Sequence, residues 1–256
     1  MRLLGGPWRL EVIPERGGRV TSLRLGGEEL LDQGIGVDDP DADGFVAAGA
    51  RGWDEMVPTV DPHPYPAPSA WAGIALQDHG EAWRLPWSVL EQTASSATMA
   101  CSGVRLPWRL VRRIELGDLA VRVEYVYRNS GKHPLYAYWC SHVLFRYEPG
   151  MVVQGVARFA PPREGSSSKV HLPPGSSSSA FLTWTSGSVV EIAWDASVTP
   201  YVGVWACNGD LGGYRHIAIE PATGGNDHPD PAAPPPLLPP GEELRWWMEI
   251  RRQPYR

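Results

Sequence analysis

Apolar and polar residues alternate with a period of two along several stretches of the chain. Residues 108–116, 121–127 and 244–251 show this pattern most clearly, and glycine- or asparagine-containing turn signals lie between such runs. Successive side chains of a β-strand point to opposite faces, so this alternation is typical of half-buried antiparallel strands. We therefore predict an all-β fold, an antiparallel β-sandwich with on the order of a dozen strands or more.

The chain contains 26 prolines in 256 residues, and this density opposes long helices because proline lacks a backbone donor. Three irregular segments, residues 35–70, 161–180 and 228–241, are rich in Gly, Asp, Ser or Pro, and we predict surface loops there. Alternation resumes after each of them, and the length is within reach of one hydrophobic core. Residues 1–256 are therefore predicted to form a single domain.

Charge and cysteine usage limit the possible partners. The net charge is −6 and no block of basic residues is present, which argues against nucleic acid as a partner. No apolar run is long enough for a signal peptide or a bilayer span, so we expect no membrane partner. Three scattered cysteines fit reduced thiols in a cytoplasmic protein better than disulfides or a zinc site. Monomer and homodimer both remain open.

Glu220 is the first candidate for chemistry. It follows the apolar run 217–219 and precedes Pro221, which we expect to end the strand. Burying a carboxylate is costly unless it is paired, so a structural glutamate paired with arginine is an equally good interpretation of the spacing. His142 lies inside a strand-like run, and His79 precedes Gly80. Together the three side chains form an acid–base set suited to neutral pH, although each histidine alone is more often structural.

The remaining histidines carry weaker signals. We predict solvated loop positions for four of them, and His216 could line a site although nothing singles it out. Asp54, Glu55 and His63 are too loosely spaced to indicate a metal site, so no metal and no cofactor are expected. The four predicted loop histidines are His63, His133, His171 and His228.

Short motifs in a fixed order run through nearly the whole chain. They are Gly-Gly-Arg-Val at 17–20, Gly-Trp-Asp-Glu-Met-Val-Pro-Thr at 52–59, Asp-His-Gly-Glu at 78–81, Ser-His-Val-Leu-Phe at 141–145, Ile-Glu-Pro at 219–221 and Leu-x-Pro-Gly-Glu at 238–242. On these residues the chain resembles the galactose mutarotase-like family, which comprises aldose 1-epimerases and their shorter bacterial relatives. The resemblance implies a β-supersandwich that binds a pyranose.

The resemblance also implies roles for individual residues. Glu220 would be the general base and His142 the general acid of an aldose 1-epimerase, which interconverts the α and β anomers of a hexose or modified hexose. His79 would contact the sugar near its ring oxygen. Arg51 stands where longer epimerases carry an Asn-Arg pair, and it would donate to a sugar hydroxyl. The expected substrate-binding residues are His79, Arg51, Asp54 and Trp205.

The substrate and even the class of function remain open at this point. An arginine near the pocket would favour a phosphorylated or acidic sugar, and Arg51, Arg84 and Arg146 are the candidates. A mutarotase is the first hypothesis. The alternatives are another enzyme on the same fold, such as a lyase or an epimerase acting elsewhere on the sugar, and a non-catalytic carbohydrate-binding or regulatory domain.

Overall fold

Strands form the regular secondary structure of the chain. The computed structural model describes residues 1–36, 39, 42–157 and 159–253, and within them no helix occurs, so none is long and apolar enough to cross a membrane. The all-β prediction is confirmed. The strands are β1 (Arg2–Gly5), β2 (Trp8–Ile13), β3 (Arg19–Leu25), β4 (Glu28–Glu29), β5 (Trp53–Met56), β6 (His63–Pro64), β7 (Ala75–Leu76), β8 (Ser88–Gln92), β9 (Ser96–Ser102), β10 (Trp108–Leu116), β11 (Ala120–Asn129), β12 (Leu135–Tyr136), β13 (Cys140–Val143), β14 (Phe145–Arg146), β15 (Val152–Gln154), β16 (Ser166–Leu172), β17 (Ser179–Thr183), β18 (Val189–Trp194), β19 (Tyr201–Asn208), β20 (Arg215–Ala222), β21 (Leu237–Leu238) and β22 (Glu243–Arg252).

Two large antiparallel sheets contain most of these strands. The ten-stranded sheet has the order β1-β2-β3-β5-β13-β20-β19-β16, with β4 beside β3 and β14 beside β20. The eight-stranded sheet has the order β15-β17-β18-β22-β11-β10-β9-β8. Two further sheets have two short strands each, β6 with β7 and β12 with β21.

The alternating runs supply the inner face of the eight-stranded sheet. In β11, Val121, Val123, Tyr125 and Tyr127 are buried, whereas the residues between them are at least partly exposed. The neighbouring strands β10 and β22 are paired with β11 in register, so their apolar faces lie on the same side. One core cluster joins these residues to apolar side chains of the ten-stranded sheet. Burial of this shared apolar surface is the main force that holds the two sheets together.

A charged pair lies inside this core. Arg112 projects from β10 among apolar neighbours, and its Nη1 donates to Glu55 Oε1 at 2.9 Å, with both side chains fully buried. The Glu55 carboxylate also accepts hydrogen bonds from Trp139 Nε1 at 2.8 Å and from the Tyr125 hydroxyl at 3.0 Å. Because each buried charge has partners, the core can hold the Arg112–Glu55 pair. Replacing either residue alone would leave the other as an unpaired buried charge.

The three segments predicted as loops each contain a strand. Residues 35–70 include β5 and β6, although positions 37, 38, 40 and 41 lie outside the described residues. Residues 161–180 include β16, and residues 228–241 include the short β21. The loop prediction is wrong for the serine-rich β16, which is the last strand of its sheet and, among the described strands, pairs with β19 alone. An edge strand with most side chains half exposed lacks the apolar alternation that marks a buried strand.

Candidate active site

A cavity of about 330 Å³ opens on the face of the ten-stranded sheet opposite the core. This volume is within the usual range of small-molecule sites. Strands β13, β16, β19 and β20 form its floor, and loop residues around positions 45, 61, 79, 211 and 227 form its walls. The lining residues are Phe45, Val46, Ala50, Val60, Asp61, His79, His142, Lys169, Trp205, Leu211, His216, Glu220 and Asp227.

The strand pleat sends catalytic-type side chains outward and apolar ones inward. In β20, Ile217 and Ile219 belong to the core, whereas His216 and Glu220 line the cavity. The same alternation in β5 buries Glu55 beside Arg112 in the core and turns Asp54 toward the cavity side. The expectation that Pro221 ends the strand is wrong, because β20 continues to Ala222 through its pairing with β19. Proline removes only one donor, and the neighbouring pairs persist.

His142 and Glu220 face one another across two neighbouring strands. β13 pairs with β20 at Cys140 and Ala222, and β14 pairs with β20 at Phe145 and Ile217. Both pairs fit a single antiparallel register, and in that register His142 lies opposite Glu220. The structure therefore brings the two residues expected to carry acid and base chemistry to the same part of the cavity.

His142 is held by a buried carboxylate. Its Nδ1 lies 2.9 Å from Asp54 Oδ1, and Asp54 also pairs with Arg19, whose Nη2 lies 3.3 Å from Oδ2. Burial lowers the pKa of His142 below 6.5, although the hydrogen bond and charge of Asp54 oppose this shift. Burial alone would raise the pKa of Asp54, but His142 and Arg19 lower it overall. Because Asp54 engages Nδ1, Nε2 is the nitrogen that can act on a ligand.

His79 is fixed in a similar way by a different carboxylate. Its Nδ1 lies 2.9 Å from Asp78 Oδ1, and its ring stacks on Phe45 with centroids 4.3 Å apart. His79 has a φ of 57°, an uncommon conformation for a residue other than glycine, and its backbone nitrogen donates to Val60 at 2.6 Å. The His79 and His142 rings lie 5.1 Å apart, so both imidazoles border the same space.

Trp205 is oriented by a hydrogen-bond chain that ends at a third carboxylate. Its indole Nε1 donates to His216 Nε2 at 3.0 Å, and His216 Nδ1 lies 3.0 Å from Asp32 Oδ2. Since an indole nitrogen can only donate, His216 Nε2 must accept, and the proton of this neutral ring is therefore on Nδ1, facing Asp32. The chain fixes the plane of the Trp205 ring at the cavity wall.

Glu220 has a cationic neighbour that the sequence did not reveal. Lys169 Nζ lies 3.3 Å from Glu220 Oε2 and 2.7 Å from Asp227 Oδ1. The Lys169–Glu220 contact is an ion pair by its distance. It is not a hydrogen bond, and within the described part of the chain Glu220 Oε2 accepts none. His171 Nε2 lies 3.3 Å from the same Asp227 oxygen. His171 lies in β16 and not in the loop predicted for it, although about half of its side chain is exposed.

Gly203 makes room for this ion pair. It lies opposite Glu220 in the β19–β20 register, and a Cβ atom at this position would stand 2.7 Å from Glu220 Oε2. The same atom would stand 3.5 Å from Lys169 Cε. Only a residue without a side chain leaves the carboxylate in its present place.

The predicted substrate-binding residues separate into two groups. His79 and Trp205 line the cavity, whereas Asp54 lies behind His142 and contacts the ring instead of the open space. Arg51 does not line the cavity, and its Nη1 donates to the Gln33 carbonyl at 2.8 Å because the chain turns back over it at Gly34. Lys169, Asp227 and His216 are lining residues that the sequence analysis did not select.

The other candidate arginines also point elsewhere. Arg84 stacks over Trp83 at 4.4 Å and donates to the Ala42 carbonyl at 2.6 Å. Arg146 pairs with Glu28 at 2.8 Å. In the described part of the chain, no group of three or more His, Cys, Asp or Glu side chains is arranged to hold a metal ion.

Solved structures provide the comparison, because no protein-family model and no curated protein matches the sequence. The Slr1438 protein from Synechocystis sp. PCC 6803 aligns with a TM-score of 0.78 at 17% identity, over 99% of this chain and 95% of that one. A galactose mutarotase-like protein from Lactobacillus casei ATCC 334 aligns with a TM-score of 0.76 at 14% identity, over 99% of both chains. The chain has the galactose mutarotase-like fold. A GalM/aldose epimerase homologue from C. elegans shares the fold, with a TM-score of 0.68 at 12% identity, over 100% of this chain and 99% of that one.

The galactose mutarotase-like fold confirms the resemblance read from the short motifs. Those motifs coincide with the elements that form the cavity, since residues 52–59 contain β5, residues 141–145 contain β13 and residues 219–221 lie in β20. At these low identities the likeness concerns the fold, and function has to be argued from the site itself.

Proposed function

We propose that this protein is an aldose 1-epimerase that interconverts the α and β anomers of a sugar. The observation that carries the proposal is the placement of Glu220 opposite His142 on the cavity floor, with His142 oriented by Asp54. Anomer exchange needs one group that removes the proton of the C1 hydroxyl and another that protonates the ring oxygen. A carboxylate and an imidazole on facing positions supply both.

In the proposed reaction, Glu220 accepts the proton of the C1 hydroxyl while His142 Nε2 gives a proton to the ring oxygen. The C1–ring-oxygen bond breaks, and the C1 hydroxyl oxygen becomes the carbonyl oxygen of an open-chain aldehyde. Rotation about C1–C2 presents the other carbonyl face, and the two proton transfers then run in reverse during closure. Each residue ends the cycle in its starting state, so the reaction consumes nothing besides the sugar.

The acid form of His142 is the imidazolium. Asp54 stabilises that cation through the 2.9 Å contact with Nδ1, and burial opposes it strongly enough to lower the pKa of His142 overall. Lowering the pKa makes the imidazolium a stronger acid but also a less abundant one at neutral pH. The balance predicts fastest turnover on the acidic side of neutrality.

The charges of the lining residues support a neutral sugar over a sugar phosphate. Among the described lining residues, Lys169 is the one lysine or arginine, and its ammonium group already contacts two carboxylates. The arginines that would have favoured an anionic sugar make their contacts outside the cavity. A phosphate or carboxylate would meet Glu220 and Asp227 with no free cation beside them.

Trp205 and His79 complete the proposed binding site. The Trp205 ring offers a flat apolar face to the C–H side of a pyranose, and its plane is fixed by His216. His79 offers Nε2, because Asp78 holds Nδ1. These two groups would place the sugar so that C1 lies between Glu220 and His142.

The test is mutarotation of freshly dissolved α-anomers, followed by polarimetry across a panel of neutral hexoses and hexose phosphates. We expect acceleration of at least one neutral hexose, and a loss of about 10²- to 10⁴-fold in kcat/KM for Glu220→Gln. Equal rates for the wild-type protein and Glu220→Gln would refute the proposed base. Binding of a sugar without turnover by any variant would instead support the carbohydrate-binding alternative.

A further inference from the structure

Lys169 occupies an unusual place for a lysine of this chain. The sequence has only two lysines among 23 basic residues, and the other, Lys132, is exposed on a turn. Lys169 projects from β16 into the cavity wall, where 21% of its side chain remains exposed. It contacts two carboxylates, those of Glu220 and Asp227, at 3.3 and 2.7 Å.

The local backbone is arranged for this contact. β16 pairs with β19 so that Lys169 lies beside Trp205 and His171 lies beside Gly203. Glu220 lies on the far side of Gly203 in β20, so the Lys169 side chain crosses the space above the glycine diagonally. A Cβ atom at position 203 would collide with the Glu220 carboxylate, whereas it would meet Lys169 Cε at an ordinary contact distance of 3.5 Å. Because position 203 in β19 has no side chain, Lys169 of β16 can contact the Glu220 carboxylate of β20 across it.

We infer that Lys169 is a positioning residue, held by Asp227, that aims the Glu220 carboxylate and stabilises its negative charge. The inference rests on the proposed function for its role in catalysis. Asp227 acts through Lys169 because it makes the shorter of the two lysine contacts, through Oδ1, the oxygen that His171 Nε2 also approaches at 3.3 Å. The opposing charges of Lys169 and Asp227 would then set the pH range over which Glu220 can accept a proton.

The protonation states of the cluster agree with this arrangement. Burial would lower the pKa of Lys169, but Glu220 and Asp227 raise it above its ordinary value, so the side chain stays an ammonium ion. Burial would raise the pKa of Asp227, but His171 and Lys169 hold it at about 2. A lysine kept charged in this way also cannot condense with the open-chain aldehyde, because imine formation needs the neutral amine.

The other titratable groups around Glu220 do not place a fixed positive charge as near to its carboxylate. Tyr138 and Cys140 have pKa values raised by burial, so they are neutral, and His142 lies across the strand pair. The titratable groups that face Glu220 or share its cavity are Asp61, His79, Tyr138, Cys140, His142, Lys169, His171, Tyr201, His216 and Asp227. Among these, Lys169 is the fixed cation nearest to the carboxylate.

Two substitutions test the inference because they move the same quantity in opposite directions. Lys169→Met removes the cation, and we expect the acid limb of the kcat/KM profile to move to higher pH by about 1 to 3 units. Asp227→Asn keeps an acceptor for Lys169 but removes a negative charge, and we expect the limb to move to lower pH by about one unit. Lys169→Arg should keep the wild-type limb to within about half a unit, because it preserves the charge.

Controls separate this effect from a general change of charge or fold. Lys132→Met removes the other lysine, and we expect no displacement of the limb. His171→Gln should move it far less than Asp227→Asn. Thermal melts report whether each variant folds. If Lys169→Met unfolds, Lys169→Arg and Asp227→Asn still test whether the charges of Lys169 and Asp227 act on Glu220.

A second readout is independent of turnover. In protein labelled with ¹³C at glutamate carboxyl carbons, the Glu220 signal is assigned by its loss in Glu220→Gln, and its pH midpoint is followed in each variant. Midpoints that move upward in Lys169→Met and downward in Asp227→Asn support the inference even if no sugar is turned over, in which case only the proposed function fails. Midpoints and acid limbs that stay at the wild-type pH in both variants overturn it.

Discussion

Gly203→Ala should disable the proposed base without weakening the fold. The added Cβ would stand 2.7 Å from Glu220 Oε2, whereas ordinary contact begins near 3.4 Å, so the carboxylate has to retreat by about 0.7 Å. A misplacement of about 1 Å costs on the order of 10²-fold in rate. We therefore expect kcat/KM to fall roughly 10- to 100-fold. Gly203 has no left-handed backbone angle, so alanine fits the strand and the melting temperature should change little.

The assay is mutarotation of whichever neutral hexose the wild-type protein accelerates, with urea unfolding measured in parallel. Gly117→Ala is the matched control, because its added Cβ meets only the Ala120 carbonyl oxygen at 3.6 Å and its φ is also outside the left-handed region. Both substitutions reduce the entropy of the unfolded chain by the same amount. A Gly203→Ala protein with unchanged kcat/KM would show that the position of the Glu220 carboxylate does not control the rate, and our reasoning would be wrong.

Three further predictions address the acid, the binding surface and the core. Burial lowers the pKa of His142, and the proposed general acid is its protonated form. We therefore expect kcat/KM to fall about tenfold per pH unit from pH 7 to 9. A kcat/KM that rises over this range would contradict His142 as the general acid. Trp205→Ala should raise KM about tenfold, which corresponds to about 1.4 kcal/mol of binding free energy, whereas Trp205→Phe should keep most of the affinity. Equal KM values for Trp205→Ala and the wild-type protein would show that Trp205 does not bind the sugar. Arg112→Met should lower the free energy of unfolding by about 3 to 5 kcal/mol, because it leaves the buried Glu55 carboxylate without its cation. Arg113→Met, at a partly exposed position of the same strand, should change it by less than about 1 kcal/mol, and urea unfolding distinguishes the two.

The fold could be predicted from the sequence where one face of a strand is buried. Residues 121–127 show strict alternation because β11 packs one face on the core and exposes the other, at least in part. The same rule fails for β16, where no face is fully buried and the polar Ser-Ser-Ser-Lys run resembles a loop. That residues 1–256 form one domain stays a prediction.

The candidate site was predictable only as far as its motifs reached. Glu220, His142 and His79 were selected in advance, and the structure brings all three to one cavity. Their roles stay predictions until activity is measured. Lys169 was missed because its segment was interpreted as a loop, and pairing across strands cannot be deduced from a single sequence. Arg51 was selected by its neighbours in the chain, but the turn at Gly34 directs its side chain away.

The position of β16 at the end of its sheet affects how such a site can diversify. Its one ladder partner is β19, and of its residues only Leu172 is buried. Substitutions at positions such as 169 therefore disturb little interior packing, whereas equivalent changes in β13 or β20 would fall inside the sheet. We therefore expect the charge beside the proposed catalytic carboxylate to tolerate substitution more readily than the strands that carry Glu220 and His142.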